Sequence, residues 1–339
     1  MHVHSMKKHE VNMANSSFRT IPKVQEKLLS IKRSEQINFS LYFSRMVSWE
    51  FKHGNENEFQ KYTGEEVKHD RNGNVITDNK GNPKWEKQND DYIKELENAG
   101  NDLLKGTSPL LLNKHKFQND YIEALKESGV ETFELRAKTT APFITGLGSG
   151  HPTETGMVLD RNTGLPYIPA SSIKGVLRLS QAIKCADENG NVDENDERIV
   201  KYFGTTSDAQ DAKRGQLIIL DAYPDSERVP KLKIDIMNPH FSAYYAKKIE
   251  ERIINGRTQR IVHDQPVETE SPVPIKFLTV KEGTAFVFRC AFIPLGNKIL
   301  SENDRQEIQK NVDAMFDTAF ETVGFGGKTA IGYGRFKRL

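Results

Sequence analysis

Along FELRAKTTAPFI, residues 133–144, apolar and polar positions alternate with the two-residue period of a strand that buries one face. A glycine-rich loop, TGLGSGHPTETG, follows at 145–156. The period then lengthens: SSIKGVLRLSQAIKC, 171–185, places apolar residues three and four apart, as one face of a helix does. GQLIILDAY (215–223) reads as a strand, LKIDIM (232–237) as a short one and TAFVFRCAFIPL (284–295) as another. SENDRQEIQKNVDAMFDTAFETV (301–323) predicts a long amphipathic helix with Ser301 as N-cap. GFGGKTAIGYGRF (324–336) is a glycine loop running into a last strand. Strand, helix, strand, strand, helix, strand predicts an α+β fold of ferredoxin-like type, the scaffold that RNA-recognition domains also use.

The first 131 residues follow no such order. Residues 1–20 are polar and predicted to be disordered. Helical periodicity marks NFSLYFSRMVSWEF (38–51), YIKELENAGNDLLK (92–105) and FQNDYIEALKES (117–128). Between the first two, about residues 52–91 form a polar stretch dense in Asn-Gly and Asp/Asn turn pairs, read as a surface insertion in which RNGNVITDNKGN can close a small hairpin. The chain thus divides into N-terminal accessory helices, 1–131, expected to pack on a main domain, 132–339. That domain is itself interrupted by a charged excursion at about 238–272.

Composition removes whole classes of function. With 36% hydrophobic and 28% charged residues, the chain has no apolar run approaching the ~20 residues of a membrane span. MHVHSMKKHE lacks the apolar core of a secretory signal, so a soluble, cytoplasmic protein without a membrane partner is expected. Two cysteines, Cys185 and Cys290, are too few for a cysteine-based zinc site and read as separate reduced thiols. The net charge of +1 argues against a surface uniformly coated for nucleic acid. The last 16 residues differ, with Lys328, Arg335, Lys337 and Arg338 and no acid. Such local polarity can form a basic stripe for phosphates.

Two motifs sharpen that picture. In GLPYIPASSIKGVLR, 164–178, two prolines stiffen the approach to a helix that Ser171 or Ser172 is expected to cap, leaving an N-terminus suited to anions. Lys174 and Arg178 follow one turn apart, and Gly175 permits close approach of another chain or a ligand. In GFGGK, the N–H groups of Gly324, Gly326 and Gly327 can form an anion-binding concavity, with Lys328 adding charge. The two motifs are expected to lie close enough to share one strip of phosphates. An ordinary capped helix and a structural glycine turn remain the plain alternatives. His151, Glu154, Asp221, Asp235, His240, His263 and Asp264 are scattered acid-base candidates without HExxH, GxSxG or GxxxxGK[ST] spacing, so neither an enzyme nor a metal or other cofactor is expected.

GLGSGHPTETG, GLPYIPASSIKGVLR, DIMNPHFSAYY, VPIKFLTV and GFGGKTAIGYGRF, in this order over roughly residues 132–339, resemble the RAMP proteins of type III CRISPR systems. HPTETG with DIMNPHF narrows the resemblance to the sixth-subunit family of the type III-B (Cmr) effector complex. Ala170 stands where many relatives place Gly. The resemblance implies binding of guide CRISPR RNA among other Cmr subunits, with target RNA engaged in the assembled complex and cut by a different subunit. It implies RNA contacts by Gly148, Ser149 and His151; by Ser171, Ser172, Lys174, Gly175 and Arg178; by Asn238 and His240; and by Gly324, Gly326, Gly327, Lys328 and Tyr333. Related subunits use an excursion like 238–272 as a β-hairpin thumb wedged between guide and target bases. Phe241, Tyr244 and Tyr245 beside Lys247, Lys248, Arg252, Arg257 and Arg260 suit that role, while YYAKKIEERII also suits a surface helix. A CRISPR-RNA processing ribonuclease and a protein-only assembly subunit are the two other functions considered.

Overall fold

The computed structural model describes residues 92–149, 155–205, 212–226, 229–238, 274–297 and 299–339, with shorter pieces at 39–40, 43, 49–52, 55–61, 65–67, 85–87, 249–254 and 257–262. Near the N-terminus, β1 (Trp49–Lys52) pairs with β2 (Asn55–Lys61), and β3 (Glu65–Val67) with β4 (Trp85–Lys87). Trp49–Lys52 is therefore strand, although the helical period of 38–51 extends over it; cross-strand pairing to 55–61 overrides the local pattern there. The hairpin predicted at 71–82 lies outside the described residues. The helices α1 (Tyr92–Lys105) and α2 (Ser108–Glu127) occupy the two predicted helical stretches that follow.

The alternation in β5 (Glu131–Thr139) is realised as a strand with Phe133, Leu135 and Ala137 buried. It pairs antiparallel with β12 (Ala285–Phe292), from Glu131↔Phe292 to Lys138↔Ala285. β12 also pairs with β6 (Leu217–Ile219) and β7 (Tyr223–Pro224), and β5 with β13 (Phe336–Arg338), which gives an antiparallel order β13-β5-β12-β6. GQLIILDAY is thus two short strands rather than one. Leu220 N–H still donates to Arg289, but Ala222 leaves the ladder to exchange two 2.9 Å hydrogen bonds with Ile168.

On one face of this sheet, Phe286, Phe288, Cys290 and Phe292 meet α3 (Ala170–Cys185) and α5 (Glu302–Thr318). The Phe288 ring lies 5.7 Å from Phe316 and 5.1 Å from Phe320. Ser301 caps α5 as expected, in a reciprocal capping box with Asp304. On the opposite face, Val287, Arg289 and Ala291 are buried beneath α2. The Arg289 guanidinium, 2% exposed, donates to Glu134 Oε2 at 2.9 Å, Gln118 Oε1 at 2.9 Å and His115 Nδ1 at 3.0 Å. Because Arg289 can only donate, His115 carries its proton on Nε2, which faces the Pro224 carbonyl at 2.8 Å. Burial first, and then Arg289, hold the His115 pKa below its ordinary value.

A second ladder pairs β8 (Leu232–Met237) with β11 (Ile275–Val280), a strand absent from the pattern reading. The free side of β8 meets α1, where the Asn101 amide exchanges hydrogen bonds of 2.7 and 3.1 Å with Leu232. Such cover blunts an exposed strand edge. Between β8 and β11 the excursion contains β9 (Ile249–Ile254) paired with β10 (Arg257–Val262). The surface-helix alternative for YYAKKIEERII therefore fails from Ile249 onward. Among the described residues, no helix is long and apolar enough to cross a membrane.

Arg289→Ala would leave Glu134, Gln118 and His115 facing an empty buried site. With Glu134 partly exposed and also paired with Arg136, the cost is that of leaving the buried Gln118 and His115 acceptors unsatisfied, a loss of about 1–3 kcal/mol in urea unfolding. A loss below about 1 kcal/mol would contradict the role given to Arg289 in seating α2.

Candidate nucleic-acid interface

The stiff entrance to α3 is organised by Asp160. One carboxylate oxygen accepts from the N–H groups of Asn162 and Thr163 at 3.0 and 2.7 Å and from the Thr163 hydroxyl at 2.9 Å. The other accepts from the Tyr223 hydroxyl at 2.7 Å and Lys114 at 3.1 Å. Burial pushes this carboxyl up, but the hydrogen bonds from Tyr223, Thr163 and Lys114 outweigh it and hold the pKa at about 2. Tyr167 stacks on Tyr223 with ring centroids 5.6 Å apart. The turn between Asp160 and Tyr167 places Gly164 at φ 73°, in the left-handed region.

Neither Ser171 nor Ser172 caps the helix. The cap position is Pro169, which has no side-chain acceptor, and the Asp221 carboxylate reaches in to accept from Ala170 N–H at 2.7 Å. A remote carboxylate thus supplies both the acceptor and the negative charge that a helix N-terminus favours. Ser171, Ser172, Lys174 and Gly175 are exposed on the first turns of α3, and a Cβ at Gly175 would meet nothing within 4 Å. Arg178 is engaged within the protein, donating to the Gly204 carbonyl at 3.2 Å, which closes the end of α4 (Glu197–Phe203), and pairing with Glu194 at 3.4 Å.

The C-terminal glycine loop clasps the segment after β5. Gly327 N–H donates to Ile144 at 2.7 Å, Gly334 N–H to Pro142 at 2.9 Å and Gly324 N–H to Ala319 at 2.8 Å. The expected concavity is corrected accordingly, since the Gly324 and Gly327 donors face protein carbonyls. A Cβ at Gly326 would strike the Ile144 carbonyl and one at Gly334 the Phe325 carbonyl, so close approach of backbones is what requires glycine here. Leu147 packs by Gly327, and the exposed Gly148 and Ser149 follow directly.

Lys328 stands at φ 62°, the one non-glycine residue with positive φ among those described. Its ammonium lies 5.4 Å from the Phe277 ring centre, 5.9 Å from that of Tyr333 and 3.9 Å from Met237 Sδ. Tyr333 donates to Asp235 at 2.5 Å; burial and this hydrogen bond push its phenol up to about 12. Arg335 donates to the Thr329 carbonyl at 3.2 Å through one nitrogen, while its buried Nη1 has no hydrogen-bond partner. Exposed Asn238 adjoins Met237. The structure therefore brings Gly148, Ser149, Asn238, Lys328 and Tyr333 onto neighbouring segments around the glycine loop and the end of β8. The α3 group, Ser171 to Arg178, forms a second surface; the described hydrogen bonds of the glycine loop reach residues 140–144, Asp235, Met237 and Ala319 and not the α3 entrance. His151 and His240, like Glu154, His263 and Asp264, lie outside the described residues.

Other surfaces fit RNA less well. The sheet face that RNA-recognition domains use for base stacking is occupied by α2. An open groove of about 700 Å³ along α5 is lined by Glu131, Glu302, Asp313 and Asp317 against Arg305 and Lys310. Among the described residues no group of three or more His, Cys, Asp or Glu could hold a metal ion. Sequence reading missed Asp160 and Tyr223, and gave Asp235 and Arg335 other roles, an acid-base candidate and part of a basic stripe. Their partners lie 63 and 98 positions apart for the two tyrosine–aspartate pairs, beyond any local motif.

These features define a mixed helix and sheet protein, built on antiparallel sheets, whose two glycine-rich loops close on each other. A family model of the RAMP superfamily matches residues 136–337, and the chain belongs to that superfamily. It is similar to the CRISPR system Cmr subunit Cmr6 of Pyrococcus furiosus, 27% identical over 271 residues that span 65% of this chain and 71% of that protein. A chain in the cryo-EM structure of the Type III-B Cmr-beta bound to cognate target RNA shares the fold, with a TM-score of 0.53 at 18% identity and coverage of 94% and 96% of the two chains. The crystal structure of Cmr6 from Pyrococcus furiosus matches at a TM-score of 0.35 and 25% identity over 62% of this chain and 98% of that one, a score too low to bear on the fold.

Asp160 yields a signed pH dependence. Its folded pKa of about 2 lies below the ordinary 3.8, so its stabilisation is present above pH ~4 and is lost as pH falls toward 2. At about 1.4 kcal/mol per pKa unit this amounts to about 2 kcal/mol. Urea unfolding at pH 7, 4 and 2.5 is expected to show Asp160→Asn less stable at pH 7, with the difference shrinking as the pH drops. A difference independent of pH would contradict the assignment.

Proposed function

We propose that this chain is a non-catalytic RNA-binding subunit of a type III-B (Cmr) RNA-guided complex, holding the backbone of guide CRISPR RNA and contacting neighbouring Cmr subunits. The observation that carries the reading is the unneutralised Lys328 ammonium, presented by the glycine loop beside Tyr333, Asn238 and the 145–149 loop. Among the described ion pairs it has no carboxylate partner. Family membership, the likeness to Cmr6 and the shared fold with a chain of a target-RNA-bound complex support the same reading. The exposed Ser171, Ser172, Lys174 and Gly175 offer a second contact surface. The paired β9 and β10 are consistent with a thumb that engages target RNA.

Strand order β13-β5-β12-β6, with α3 and α5 as crossovers on one face, supports the ferredoxin-like assignment. A family match beginning at residue 136 supports 132–339 as the RAMP domain and 1–131 as an accessory part. The non-catalytic role is favoured over RNA processing because Asp221 caps a helix and both oxygens of Asp235 already accept hydrogen bonds. A cytoplasmic location belongs to the same proposal.

Each lysine contact to single-stranded RNA contributes about 0.7 to the slope of log K against log[salt]. Replacing both Lys174 and Lys328 by Ala is therefore expected to flatten the slope by roughly 1.4, without cleavage of the RNA by the wild type in the presence or absence of divalent metal. An unchanged slope in a folded double variant, or metal-dependent cleavage, would overturn the reading. In the assembled complex, replacing residues 238–272 by a Gly/Ser linker is expected to weaken target engagement more than guide retention; unchanged target binding would argue against the thumb.

A further inference from the structure

We infer that Asp235 is a positioning residue for RNA binding, acting through Tyr333 to set the Lys328 ammonium; this rests on the reading of Lys328 as a phosphate contact. Asp235 lies directly opposite Phe277 in the β8–β11 ladder, so the two side chains share one face. Its Oδ1 accepts from Ile236 N–H at 2.8 Å, which turns Oδ2 toward the Tyr333 hydroxyl at 2.5 Å. A hydrogen bond to an ionised acceptor is among the stronger ones, and this one holds the Tyr333 ring 6.4 Å from Phe277. Lys328 rests over both rings, its other near neighbour being the Met237 thioether.

The cradle is built from soft, uncharged surfaces. Two aromatic faces and a sulfur fix an ammonium without neutralising it, whereas a salt bridge would compete with phosphate. Lys328 also occupies a left-handed backbone conformation that glycine, abundant in this loop, would adopt at lower cost. Side-chain position, rather than the turn, is then what the lysine supplies. The carboxylate that anchors the cradle belongs to β8, so that strand and the glycine loop are tied by one hydrogen bond.

This arrangement predicts an effect opposite in sign to simple electrostatics. Asp235→Ala removes a negative charge beside a phosphate site, which on Coulomb grounds alone tightens RNA binding. If Asp235 positions Lys328, the same change weakens it. A slope loss of about 0.7 corresponds to about fourfold weaker binding at 0.15 M salt relative to 1 M.

The experiment measures affinity of the full chain for single-stranded CRISPR RNA across a salt series, with thermal melting confirming that each variant folds. Lys328→Ala, Asp235→Ala and Tyr333→Phe are each expected to flatten the slope by up to about 0.7, while Asp235→Asn, which keeps one acceptor oxygen for the Tyr333 hydroxyl, is expected to lose less than Asp235→Ala. In the Lys328→Ala background, Asp235→Ala costs no further affinity. If Lys328→Ala flattens the slope and Asp235→Ala leaves it unchanged or binds more tightly, the positioning role is wrong and the phosphate contact stands. An additive loss in the double variant also overturns the positioning role. If Lys328→Ala has no effect, the phosphate reading itself falls, and the inference with it.

Discussion

The pairing of β5 with β12 is the constraint from which the rest of the structure follows. Eight residue pairs hold the two strands in a register that sends alternate side chains to opposite faces. One face of β12 is phenylalanine-rich and receives α3 and α5. The other presents Arg289, an apparently awkward residue in a strand interior, which becomes the anchor for α2. A slip by one residue would exchange these faces, exposing the aromatic core and burying charge without partners. The same register also fixes where the functional loops emerge, since β13 and the segment after Thr139 leave the ladder at its Lys138↔Ala285 end.

From that end, two glycine-rich segments far apart in sequence are brought together. Their closeness depends on backbone approaching backbone at Gly326, where a Cβ would strike the Ile144 carbonyl, while Gly334 lets the loop close on its own Phe325. The glycines thus act first on architecture, and the Gly324 and Gly327 donors satisfy protein carbonyls. What faces outward is a lysine on an aromatic cradle. With α2 covering the opposite sheet face, base stacking across the sheet is blocked.

Much of this was legible in local pattern. Alternation marked β5, the 284–295 segment read as the strand that became β12, the helical period marked α3 and α5, and Ser301 announced its cap. The two glycine-bearing motifs pointed to the family. What could not be read were interactions whose partners are distant in the chain. Ser171 and Ser172 look like caps, but Asp221 takes that role from another segment. Arg178 looks like a free cation, but Gly204 and Glu194 engage it. IKFLTV lacks a clear two-residue alternation because Phe277, Leu278, Thr279 and Val280 are all buried, so β11 was not distinguished as a strand. Trp49–Lys52 shows the reverse case, a helical pattern drawn into a strand by pairing.

The central claim is that the glycine-loop surface touches guide RNA directly. Ultraviolet crosslinking of the assembled Cmr complex carrying its guide, followed by mass spectrometric mapping of the crosslinked peptides on this chain, tests it most directly. The account predicts crosslinks to guide RNA within residues 324–335, centred on Tyr333, and within 145–149. Crosslinks confined to other subunits, with this chain contacting protein alone, would contradict it.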